Sequence, residues 1–176
     1  PVLDTEITVA GGRARVAAIT RTVSPEGLAF AFRRHRDKPW TLPLFINNGM
    51  IDAFSSGLIW FLIDGSRTML IAGTRSSGKT SFLGSCMVQI MPKVRIISVE
   101  DTLELPIEQL RELGYNVERL KSRSVITHIE TELAAEEVLR TALRLGDSSL
   151  IVGEVRSKEA LALYEDLEKR LREGRV

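Results

Sequence analysis

The chain has 176 residues, 44% of them hydrophobic, which leaves room for one α/β domain with a small addition and for a sizeable core. Its 24 basic and 23 acidic residues give a net charge of +1, which offers no field for drawing in nucleic acid or an anionic membrane. The single cysteine, Cys86, excludes an internal disulfide framework and fits a reducing, cytoplasmic compartment, and no apolar run of about 18 residues is present to span a bilayer.

The chain opens Pro1-Val2-Leu3-Asp4. This lacks an initiator methionine and the basic and apolar regions of a signal peptide, so a fragment or a processed chain is expected. Residues 1–36 read as a β-meander. Ile7 and Val9 alternate with polar neighbours, Gly11-Gly12 reads as a two-residue hairpin turn, and Val16 to Thr20 returns. Ser24-Pro25-Glu26-Gly27 turns again into a third strand, Leu28 to Phe32. Residues 37–48, with two prolines between Asp37 and Phe45, read as a linker to a core over 49–176. An apolar helix is expected from Met50 to Ile63, with Asn47 or Asn48 as cap and Gly65 as stop.

Thr68 to Ala72 reads as a buried strand. It runs into Gly73-Thr74-Arg75-Ser76-Ser77-Gly78-Lys79-Thr80, followed by Ser81, which fits G-x-x-x-x-G-K-[ST]. Phe82, Leu83, Cys86, Met87 and Ile90 then recur at helical spacing up to Pro92. Strand, glycine-rich turn and helix form the geometry of a phosphate-binding P-loop. The glycines let backbone N–H groups curl around phosphate oxygens, and the helix start adds partial positive charge. Lys79 is placed to reach the β- and γ-phosphates, and the Thr80 hydroxyl to ligate Mg²⁺. ATP or ADP with Mg²⁺ is the expected ligand.

The alternation continues with a strand at Val94–Val99, a helix at Ile107–Leu113 ended by Gly114, and a helix from a Thr131 cap to Leu145 stopped by Gly146. A third core strand follows at Ser149–Gly153, and then a helix from Ser157 to about Glu173. Strands separated by helices imply a mainly parallel sheet covered on both faces. Two apolar strands end in acids: Glu100-Asp101, with Glu104 one turn on, and Glu154. An acid closing an apolar strand after a P-loop anchors Mg²⁺, and a second carboxylate orients or deprotonates the attacking water. Trp40 suits either stacking on a base or pinning the linker. His35, among arginines, and His128, in an expected loop, read as solvated surface residues.

These segments together resemble the secretion ATPase superfamily, which powers type II and type IV secretion, pilus assembly and archaeal flagella, with the closest likeness to its archaeal members. The carriers are the P-loop, the acidic box Ser98-Val99-Glu100-Asp101-Thr102-Leu103-Glu104-Leu105, and Leu143 to Asp147 followed by Val152-Gly153-Glu154-Val155-Arg156. The resemblance implies a RecA-like P-loop NTPase fold preceded by a remnant of an N-terminal domain. It implies Glu100 as general base, Glu154 assisting Mg²⁺ or water, Gly153 approaching the γ-phosphate, and Arg33, with Arg34 or Arg15, contacting phosphate. It also implies a hexameric ring on the cytoplasmic side of a membrane machine. After Tyr164 the family continues into a histidine-bearing motif. This chain instead shows a helix with favourable pairs Glu165–Lys169, Asp166–Arg170 and Glu168–Arg172. A core that binds nucleotide without turning it over is therefore the alternative to an active motor, and a P-loop kinase is a third reading that no acceptor or lid segment supports.

Overall fold

The computed structural model describes the chain except for residues 1, 10–11, 36–37, 123–133, 147, 156–160, 162, 166–167, 170–171 and 173–176. Two compact units are present, one on Pro1–Lys38 and one on Pro39–Ser122 with Leu133–Val176.

The first unit is an antiparallel sheet of β1 (Val2–Val9), β2 (Gly12–Ile19) and β3 (Ala29–Arg34), in that spatial order. Alternation along β2 sends Ala14, Val16 and Ala18 to one buried row. Phe32 lies opposite Val16 and Phe30 opposite Ala18, with the two rings stacked at 6.2 Å. On the intervening register Arg15 lies opposite Arg33. Gly12 is not a turn residue: it opens β2 and pairs with Val9, while Gly11 lies outside the described residues.

The second unit begins with a helix where a linker was expected. In α1 (Leu42–Asn47) the Thr41 hydroxyl accepts the Leu44 N–H, and Pro43 falls in the first turn, where a missing N–H costs nothing. The next helix, α2 (Ala53–Asp64), is capped by Asp52 rather than Asn47 or Asn48. The Asp52 carboxylate accepts the Ser55 N–H at 2.8 Å and the Ser55 hydroxyl at 2.7 Å, and the helix closes at Gly65.

Beyond the P-loop come α3 (Lys79–Met87), β4 (Ile96–Glu100), α4 (Ile107–Glu112), β5 (Val117–Lys121), α5 (Ala135–Arg144) and β6 (Ser149–Val152). The strands form a parallel sheet in the order β5-β4-β6. Every residue of the central strand is buried. Ile96 packs on one face with Met87, Ile90, Leu105, Ile107 and Leu110, carried by or next to α3 and α4. Ile97 and Val99 pack on the other with Val138, Leu139 and Ala142 of α5. The expected α/β architecture, a parallel sheet with helices on both faces preceded in the chain by a small β-meander, is thus what the chain adopts.

Two local features differ from expectation. Thr68–Ala72 does not form a strand, and Leu70 is 88% exposed. An apolar parallel strand needs hydrogen-bonded neighbours and cover on both faces, and among the described residues the sheet ends at β6. In contrast β5 forms where no strand was expected. The expected Thr131 cap lies outside the described residues, and α5 is described from Ala135, after Ala134. Towards the C-terminus residues 161, 163–165, 168, 169 and 172 are helical. Leu163 packs against the α5 cluster, Arg140 reaches Glu165 at 3.5 Å, and the Glu168–Arg172 pair forms at 3.6 Å. Asp166 and Arg170 lie outside the described residues.

Candidate functional site

The P-loop turns into α3 through two left-handed residues, Ser76 at φ 62° and Gly78 at φ 85°. Gly78 is the residue before the helix, and its carbonyl accepts the Phe82 N–H at 2.9 Å. Such a φ is cheap only for glycine. Gly73 lies close under Ser77: a Cβ there would stand 2.7 Å from the Ser77 Oγ, which would have to rotate away. Lys79 folds back over this loop and donates from Nζ to the Thr74 carbonyl at 2.7 Å. Lys79, Thr80 and Ser81 form the first turn of α3, whose N–H groups have no partner within the helix. A narrow glycine cradle, a cation over it and free N–H groups at a helix start fit a phosphate chain.

The packing of α3 sets where this loop points. Gly84 meets the Pro106 ring, and a Cβ at 84 would come within 3.1 Å of the Pro106 Cδ. Met87 and Ile90, further along, pack on Ile96 at the start of β4. The start of α3 therefore lies towards the carboxyl end of the sheet, the end at which Glu100 closes β4 and Gly153-Glu154 follow β6.

Of the two expected acids, Glu100 is 3% exposed. Its Oε2 accepts the backbone N–H groups of Glu104 and Leu105, each at 2.8 Å. Its Oε1 faces the Arg119 Nε at 3.7 Å and makes no hydrogen bond. Burial pushes the Glu100 carboxyl above the usual glutamate value, while the two N–H groups and Arg119 pull the other way. Glu154 is exposed. Gly153 lies against Glu100: its N–H donates to the Val99 carbonyl at 2.9 Å, and a Cβ there would stand 3.1 Å from the Glu100 Cγ. Glu154 follows Gly153 in the chain, with its side chain exposed. Arg33 lies on β3 in the other unit, exposed and in register with Arg15.

The described residues hold no group of three or more His, Cys, Asp or Glu able to cage a metal alone. Mg²⁺ bound with a nucleotide takes only one or two protein groups, the phosphates supplying the rest, and the Thr80 hydroxyl and the Glu154 carboxylate suit that donor set. Trp40 packs its ring on Phe45 at 4.9 Å, and Phe45 meets Phe82 edge-on at 5.6 Å. This ladder favours the pinning role over base stacking. His35 is partly buried, with its Nε2 unpartnered, so it is not the solvated residue expected. His128 lies outside the described residues.

Sequence reasoning passed over Arg119. From β5 it grips both Glu108 oxygens, at 2.7 and 3.0 Å, and the Leu105 carbonyl at 3.2 Å. Its signal was an arginine between the apolar Val117 and Leu120.

Over residues 10–165 the chain matches the family described as type II/IV secretion system protein. The chain belongs to that family. The uncharacterized protein MJ0781 of Methanocaldococcus jannaschii is 32% identical over 155 residues, covering 85% of this chain and 21% of that protein. Protein VirB11 of Agrobacterium fabrum is 30% identical over 125 residues, covering 70% of this chain and 33% of VirB11. Among solved structures the ATPase DotB of Legionella pneumophila superposes with a TM-score of 0.62 at 20% identity, covering 96% of this chain and 45% of DotB. The fold is the RecA-like P-loop fold of secretion ATPases, and the chain spans less than half the length of each of these proteins. Among the described residues no helix is long and apolar enough to cross a membrane.

Proposed function

We propose that this chain is the nucleotide-binding motor core of a secretion or pilus-assembly ATPase, holding MgATP or MgADP on Gly73 to Ser81. The observation that carries this reading is the loop itself: a glycine cradle closed by Ser77, a left-handed Gly78, and Lys79 and Thr80 as the first helical residues. Family membership and the acids at the same end of the sheet support it. Thr74, Arg75, Ser76 and Ser77 supply loop N–H groups to phosphate. Lys79 exchanges the Thr74 carbonyl for phosphate oxygens, and Thr80 meets Mg²⁺ together with Glu154. Gly153 leaves room beside the terminal phosphate. Glu100 serves the acidic centre from within the sheet. The longer protein would work as a hexameric ring at the cytoplasmic face of a membrane machine.

Lys79→Ala tests the reading. It removes a charge-assisted phosphate contact worth about 1.5–3 kcal/mol, so calorimetry should show MgATP affinity falling about ten- to a hundredfold. Unchanged affinity would refute the site.

A further inference from the structure

We infer that Glu100 is a positioning residue: its carboxylate holds the loop Asp101–Pro106 in place beneath α3. The inference rests on the nucleotide-site reading only for its functional consequence. The positioning role stands on contacts within the second unit.

The loop is gripped from both sides. Glu100 Oε2 accepts its Glu104 and Leu105 N–H groups, and Arg119 donates to its Leu105 carbonyl. Arg119 is itself oriented by the Glu108 carboxylate, which it holds with two bonds. The oxygen that Glu100 leaves unbonded faces the Arg119 guanidinium. A carboxylate that is 3% exposed, with one oxygen on two amides and the other turned to a guanidinium, is built to accept hydrogen bonds from protein.

What Glu100 holds bears on the site. The loop carries Asp101 and Glu104, and it ends at Pro106, whose ring lies against Gly84 of the helix that begins with Lys79. Gly153 closes the arrangement from β6, because any side chain there would press on the Glu100 Cγ at 3.1 Å. A shift of Glu100 therefore displaces two acids and the support under α3 together.

Hydrogen exchange of the nucleotide-free chain tests this at the Glu104 and Leu105 amides. Glutamine keeps an oxygen able to accept both N–H groups, and alanine keeps none. In Glu100→Ala these two amides should exchange about ten- to a hundredfold faster than in wild type, while the Ile96 amide, bonded to the Asn116 carbonyl, keeps its rate. Glu100→Gln should restore most of the protection. Should Glu100→Ala fail to fold, Gly153→Ala gives the second route, since pressing on Glu100 should speed the same two amides. Unchanged exchange in Glu100→Ala, or in Gly153→Ala where the first does not fold, overturns the assignment. MgATP calorimetry on the same variants separates the consequence. Positioning predicts weaker binding in Glu100→Ala and recovery in Glu100→Gln, whereas a proton acceptor predicts wild-type binding in both. If wild type binds no MgATP, the nucleotide reading fails while the exchange result still decides what Glu100 holds.

Discussion

At the scale of single residues, Glu100 is under opposed pressures, and burial is the stronger. The folded state therefore holds its proton more tightly than the unfolded chain, where the ordinary value is 4.5. Stability from this group is fully present below about 4.5 and is lost as pH rises from there through the folded value. Glutamine has no proton to lose. Glu100→Gln should thus gain stability relative to wild type between pH 4.5 and neutrality, read as diverging urea midpoints across that range. A gap that stays constant with pH would contradict it. The P-loop residues were legible because their chemistry is local: one short stretch supplies cradle, cation and hydroxyl. The roles of Glu100 and Arg119 were not, because they depend on partners on separate elements. No spacing rule announces that an acid closing β4 will turn inward to bind amides four and five residues on.

At the scale of elements, β4 organises the second unit, since consecutive residues Ile96 and Ile97 feed opposite clusters. The α5 side hangs on few residues, among them Leu139 at 1% exposure. Leu139→Ala should cost about 2–5 kcal/mol, from lost transfer energy plus the cavity left behind. Urea unfolding would show this, and a loss below about 1 kcal/mol would mean that α5 is not packed as described. The elements foreseen, such as β4, α4 and β6, are those whose apolar pattern and end signals agree. The misses have physical causes. The β5 segment, Val117-Glu118-Arg119-Leu120-Lys121, has three charged residues in five, which fits a strand at the sheet's edge with Glu118 and Lys121 outward. Thr68–Ala72 carries the opposite error, since apolarity alone supplies no pairing partner. In α1, Pro43 reads as a breaker unless its place in the first turn is known.

At the scale of the molecule, Arg33, which the family resemblance leads one to expect at phosphate, and the P-loop belong to different units. Phosphoryl transfer depends on positioning and charge, and an arginine alone contributes about 10³–10⁵ in rate. The purified chain should accordingly bind nucleotide yet release phosphate well below about 1 s⁻¹, the low end of ordinary enzyme turnover. A phosphate-release assay giving that rate or faster would refute this. The division between the units falls just before Pro39, and Trp40 is the next residue. Its indole is joined through Phe45 to Phe82, three residues after Lys79. The only other tryptophan, Trp60, is half exposed on α2. A Trp60→Phe protein would therefore carry one intrinsic fluorophore, wired by ring contacts to the first turn of the phosphate-binding helix, and its emission would report, without any added label, when that helix moves.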